Sequence, residues 1–126
     1  MSFSNTFETR VLDWVFTTGG ATRPTVWYLG LFTSDPTGAG TGNEVSGNGY
    51  TRKSASFTVV GDLATNSASI EFDAATASWG TVSHVAVFDA ATTGNMIAYS
   101  ALTTAKAVSS GDILRVPAGD LDITLD

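Results

Sequence analysis

Residues 25–52 read TVWYLGLFTSDPTGAGTGNEVSGNGYTR, so that an apolar run passes directly into a long glycine-rich loop. The run over residues 26–33 is rich in β-branched and aromatic residues, which is typical of a largely buried strand. Asp35 and Pro36 end this strand, because proline cannot donate a backbone hydrogen bond to a sheet. The loop Ser34–Gly49 that follows is about three times as long as a usual connection, and a loop of this length predicts a segment that is either functional or ordered by a partner.

The rest of the chain alternates short apolar runs with turn residues at intervals of about ten residues. The predicted strands are Val26–Thr33, Arg52–Val60, Ser67–Phe72, Val82–Asp89, Met96–Leu102, Ile113–Val116 and Leu121–Leu125. Strands of this number and spacing are typical of antiparallel sandwiches and jelly rolls. We therefore predict an all-β, antiparallel, jelly-roll-like β-sandwich that forms a single domain over residues 1–126.

One helix is predicted, near the N-terminus, over Asn5–Thr17. Asn5 is expected to cap it, with Glu8 completing a capping box. Its apolar face follows the helical period and consists of Phe7, Val11, Trp14 and Val15. A helix of this length is only marginally stable alone, so the face must be buried either against its own sheet or against a neighbouring subunit.

The composition argues against several function classes. Only 14% of the residues are charged, and the net charge is −6, whereas a nucleic-acid binder needs a basic surface that displaces counterions. We expect no nucleic-acid partner, and binding to anionic membranes is disfavoured for the same reason. The chain has no cysteine, which excludes disulfides, thiol nucleophiles and cysteine-based zinc sites. The lack of cysteines also fits assembly in the cytosol. We predict neither a signal peptide nor a membrane span.

The residues that could carry chemistry are few. His84, the only histidine, follows Ser83, and adjacent strand residues point to opposite faces; we therefore expect His84 to have a structural role beside the turn at Trp79. Glu71 and Asp73 could form a glycosidase pair, but their position in an alternating strand favours solvated surface carboxylates. No assembled acid–base set is predicted, so we do not expect an enzyme.

Two binding alternatives remain open for the loop and the aromatic residues. Asp35, Asn43 and Glu44 could offer oxygen ligands to calcium, although turn hydrogen bonds explain the same residues; we expect no bound metal or cofactor. Aromatic side chains could line a sugar-binding surface or could pack in the core and turns. These are Trp27, Tyr28, Tyr50, Trp79 and Tyr99.

The chain resembles a family of small tailed-phage virion proteins that are labelled tail-fibre or head-decoration proteins. The matching segments are Leu12–Phe16, Tyr28–Thr33 with Asp35-Pro36, Asn43–Gly47, Gly49–Arg52, Trp79–His84, Phe88–Ala90 and Pro117–Leu121. The resemblance covers nearly the whole chain. It implies a structural protein of the virion, because these motifs are structural and not catalytic.

The resemblance leads us to expect a capsid decoration or cement protein. It would bind the major capsid protein and further copies of itself, as a dimer or a trimer. The alternative is a tail fibre or tail accessory protein involved in host attachment. The loop has few apolar anchors, so we expect it to be mobile until a partner orders it. The candidate interface residues are Phe7, Val11, Trp14, Asp35, Pro36, Asn43, Glu44, Val45 and Tyr50.

Overall fold

The structure, a computed structural model, describes residues 1–125. Within that range the helix is α1 (Asn5–Phe16), and the strands are β1 (Ser2–Phe3), β2 (Tyr28–Phe32), β3 (Lys53–Ser54), β4 (Phe57–Val60), β5 (Leu63–Asn66), β6 (Ile70–Glu71), β7 (Gly80–Phe88), β8 (Met96–Val108), β9 (Arg115–Val116) and β10 (Asp122–Thr124). The strand pairs are antiparallel. The prediction of a mostly β, antiparallel fold with one short N-terminal helix is confirmed.

The strands of the described chain form three sheets. The largest has the order β1-β8-β7-β2-β3, the second has the order β10-β5-β4, and the third pairs β6 with β9. The hairpin of β7 and β8 lies at the centre of the largest sheet and includes its two longest strands. A sandwich-like arrangement is compatible with these sheets, and the jelly-roll topology stays a prediction.

Two residues of β2, which pairs with the central strand β7, are part of the core. Leu29 and Leu31 are fully buried, because their side chains point to the same face of the sheet and pack in the main core cluster. Beyond this sheet, the ring of Tyr50 stacks on Phe72 with the centroids 6.1 Å apart, and it meets Trp79 edge-on at 5.5 Å. These aromatic contacts fix the end of the glycine-rich loop against the core.

The N-cap of α1 is Ser4, one residue before the predicted cap Asn5. The Ser4 Oγ accepts a hydrogen bond from the backbone N of Phe7 at 3.3 Å. The same hydroxyl donates to the carbonyl of Met96 in β8. The predicted cap at Asn5 is therefore wrong, because Ser4 both caps the helix and ties it to the sheet.

Candidate interaction surface

The apolar face of α1 is buried at its beginning and bare at its end. Phe7 is buried and Val11 is half-buried, whereas Trp14 is 69% exposed. Three further residues of the last two turns leave more than half of their surface in solvent, and together with Trp14 we name them the helix-end patch: Leu12, Val15 and Phe16. The sheet of the same chain thus covers only the first half of the face that was predicted to be buried.

The difference arises from where the helix is fastened. The backbone N of Ser4 donates to the carbonyl of Ile97 at 2.8 Å, and that of Asn5 donates to the carbonyl of Gly38 at 2.9 Å. These bonds hold the first turn against β8 and the loop. Phe16 lies about 16 Å further along the helix axis, given the usual rise per residue. The last two turns therefore extend away from the strands that bury the first.

The helix-end patch is large for the surface of a small protein. Trp14 and Phe16 alone leave roughly 300 Å² of ring surface in water, since an aromatic side chain can bury about 150–250 Å². Leu12 and Val15 bring the patch to the several hundred Å² that mark interaction sites on soluble proteins. Water contact on this scale is unfavourable, so the patch is the strongest candidate for a contact with another chain.

The loop Ser34–Gly49 has two anchors in its own domain, and its ordering by a partner stays a prediction. Pro36 is almost fully buried, and Val45 is buried as well. Hydrogen bonds between its two ends close the loop, including Asn43 N to Ser34 Oγ at 2.8 Å and Val45 N to the carbonyl of Leu31 at 2.9 Å. Pro36 and Val45, both predicted interface residues, are therefore core contacts.

Glu44 is the centre of a polar network that locks this loop. The Arg52 guanidinium donates two parallel hydrogen bonds to its carboxylate, from Nε at 2.7 Å and from Nη2 at 2.8 Å. Nη1 of Arg52 donates to the carbonyls of Ala90 and Thr93 at 3.0 and 2.8 Å. The guanidinium also lies 3.5 Å from the centroid of the Phe88 ring. Arg52 thus joins the loop to the turn that connects β7 with β8.

Tyr50 completes the network from the other side. Its hydroxyl donates to Glu44 Oε1 at 2.8 Å and accepts from the backbone N of Leu31 at 3.0 Å. Burial, and to a lesser extent the hydrogen bond to Glu44, raises the pKa of the Tyr50 phenol well above its usual range. Gly30 leaves the space that the carboxylate needs, because a Cβ there would lie 3.0 Å from Glu44 Oε1. Glu44 and Tyr50 are consequently structural residues, and Asp35 and Asn43 are the polar members of the predicted set that stay exposed.

Arg52 was not among the predicted site residues, although the sequence held a signal for it. Glu44 is the only acid between Asp35 and Arg52, and Arg52 is the first base after the loop. A single acid and a single base that flank a glycine-rich segment are natural partners for closing it. Their pairing could have been proposed from this spacing alone.

Ser83 and His84 contact each other, which corrects the expectation that they point apart. Ser83 Oγ lies 2.8 Å from His84 Nδ1, because the pairing of β7 with β8 shifts register between Val82 and His84 and a bulge disrupts strict alternation. The turn at Trp79 is held instead by Asn48, whose carbonyl accepts the indole N–H at 2.9 Å.

The other side chains that were considered for catalysis or binding either lie apart on the surface or are buried in the core. Glu71 and Asp73 are exposed, and Asp73 accepts a hydrogen bond from Lys53 at 2.8 Å. In residues 1–125 no group of three or more acidic or histidine side chains is placed to hold a metal ion. Trp79 is buried, so it is not available to stack on a sugar.

The sequence was compared with models of known protein families. Residues 2–124 match the model of a family described as podophage GP4 fiber I protein gp80. The chain belongs to this family. The match runs from β1 to the end of β10, so it includes the helix, the loop and the Glu44–Arg52 pair. No curated protein matches the chain.

Membership of a phage fiber family makes this protein a virion-associated structural protein. The resemblance to small tailed-phage virion proteins is confirmed at that level. Within the described part of the chain, no helix is both long and apolar enough to cross a membrane.

Proposed function

We propose that this protein is an accessory component of a phage tail fibre and that it joins other subunits through the helix-end patch. The observation that carries the proposal is the match of residues 2–124 to a family described as a fiber protein. The sequence alone left two alternatives, a capsid decoration protein and a tail fibre component. The family description favours the tail fibre.

The proposed role is adhesive. Leu12, Val15 and Phe16 are spaced as i, i+3 and i+4, the arrangement by which an amphipathic helix anchors itself in the groove of a partner. A buried aromatic anchor can contribute about 2 kcal/mol or more to binding, whereas an exposed ion pair contributes about 0–1 kcal/mol. With few and scattered charges, attachment should therefore depend only weakly on salt.

A structural role without catalysis also fits the contacts that the buried and half-buried polar residues make. Tyr50 and Arg52 both donate hydrogen bonds to Glu44, and Arg52 also donates to a backbone carbonyl of the turn between β7 and β8. We propose that the protein has no hydrolytic activity. Purified protein incubated with the polysaccharide of the host surface should release no new sugar ends; release that disappears in a Glu71→Gln or Asp73→Asn variant would contradict this part of the proposal.

Copy number in purified virions tests the location. Quantitative peptide mass spectrometry can compare this protein with the major capsid protein and with tail proteins of the same particles. A tail fibre component should be present in a small number of copies, similar to the other tail proteins. A copy number similar to that of the major capsid protein would favour head decoration and overturn the proposal.

A further inference from the structure

We propose that residues 1–16, which we name the N-terminal arm, are exchanged between two copies of this chain, so that the arm of each copy binds to the body of the other. The inference rests on the proposed role of the helix-end patch as a subunit contact and names the subunit as a second copy. It is argued from the attachment of the arm, from the segment that connects it, and from the place of the bare apolar residues.

The arm is held to the body by a small and well-defined set of contacts. Ser2 and Phe3 pair with Tyr99 and Ala98 at the edge of β8. The terminal ammonium group donates to the carbonyl of Asp122 at 3.3 Å. The side chain of Phe7 adds the main buried contact of the helix. Because the strand pairing and the terminal hydrogen bond are with residues of the body, beyond residue 95, another copy of the chain can supply the same binding site.

The connection between arm and body has the properties of a hinge. Residues 17–27 lie between α1 and β2 and belong to no helix or strand. Within residues 1–125, no hydrogen bond ties residues 18–26 to the body. Gly19 and Gly20 give the backbone freedom near its start. These eleven residues, fully extended, would reach about 36 Å, compared with a radius of gyration of about 14 Å for a domain of this size.

The bare apolar residues lie where an exchange would create a new contact. Leu12, Trp14, Val15 and Phe16 immediately precede the hinge, and Val26 at its far end is also exposed. When arms cross between two copies, the two hinges run side by side and bring these residues next to the partner chain. The contacts within each arm site are identical in both forms, so they do not favour either form. The apolar surface beside the hinge is covered only in the exchanged pair, and it provides the driving force.

A pair of introduced cysteines distinguishes the two forms, because the natural chain has none. A Cβ added at Gly38 would lie 3.0 Å from Asn5 Cγ, so Asn5→Cys and Gly38→Cys place one sulfur on the arm and one on the body within reach of a disulfide. If arms are exchanged, mild oxidation should convert most of the double variant into covalent dimers on a non-reducing gel. Each single variant, as a matched control, should give few dimers.

The second pair, Ser2→Cys with Tyr99→Cys, uses the β1–β8 register and should give the same result. Circular dichroism of both double variants verifies that they fold. Oxidation that produces only an internal disulfide, with monomers on the gel, in a folded double variant would overturn the exchange. The measurement is made on purified protein without virions, so its failure would leave the proposed tail-fibre location untouched.

Discussion

Arg52 clamps Glu44 through two parallel hydrogen bonds of 2.7 and 2.8 Å, and the side chain of Arg52 is only 7% exposed. The pair adds a charged contact to a loop that is also held by the buried side chains of Pro36 and Val45. A bidentate, nearly buried ion pair of this kind is costly to break from one side, because the remaining charge is left without a partner.

Arg52→Ala should therefore lower the free energy of unfolding by about 3 kcal/mol. The variant loses the carboxylate contact and also the donors for two backbone carbonyls at Ala90 and Thr93. Lys53→Ala is the matched control, since the Lys53–Asp73 pair is more exposed and should change stability by about 0–1 kcal/mol. Urea unfolding of both variants measures the difference, and equal losses would contradict the assigned role of Arg52.

Tyr50 should make the stability of the protein fall at alkaline pH. Its pKa is higher in the folded chain than the unfolded value of about 10, so at high pH the unfolded chain gives up a proton that the folded chain retains. The stabilisation that the protonated Tyr50 phenol gives to the folded chain is complete below about pH 10. Above that pH it is lost, by up to about 1.4 kcal/mol per pH unit. Tyr50→Phe removes this dependence. The stability difference between wild type and Tyr50→Phe should shrink as the pH rises from 9 to 11; a constant difference would contradict the prediction.

Truncation of an apolar side chain should destabilise the protein strongly in the first half of α1 and hardly at all in the second half. Phe7→Ala empties a site in the core and should cost about 3–5 kcal/mol, since Phe7 is buried. Trp14→Ala removes a mostly exposed ring and should change stability by about 0.5 kcal/mol or less. Thermal or urea unfolding of the two variants tests this. A large decrease in the free energy of unfolding of Trp14→Ala at low protein concentration would mean that the end of the helix packs within its own domain.

Much of the fold could be predicted from local sequence patterns. The runs that become β2 and the second half of β7 are almost entirely apolar, because residues on both faces of these strands are buried. β1 and β5 were not predicted. β1 has only two residues, and the sequence of β5, LATN, contains no strong strand former other than threonine. Such strands form because a neighbouring strand offers them an edge.

The candidate site was harder to predict, because its residues meet through tertiary contacts. The loop was expected to be mobile on the basis of its glycines, yet Pro36 is buried and Glu44 is held by Arg52 eight residues later. The contact of Ser83 with His84 depends on a bulge that periodicity cannot reveal. The helix, by contrast, was predicted with its apolar face, and only the structure shows which half of that face is bare.

Incorporation into virions tests the central claim, that the helix-end patch attaches this protein within the tail fibre. The double variant Trp14→Ser/Phe16→Ser removes the two exposed rings, and Val59→Ser/Val60→Ser is the matched control on another exposed apolar site, in β4. Antibody–gold labelling of purified particles should place wild type and control on the tail fibre and should find the Trp14→Ser/Phe16→Ser protein missing from particles although it is folded in solution. Equal incorporation of both variants, or gold over the head, would contradict the account.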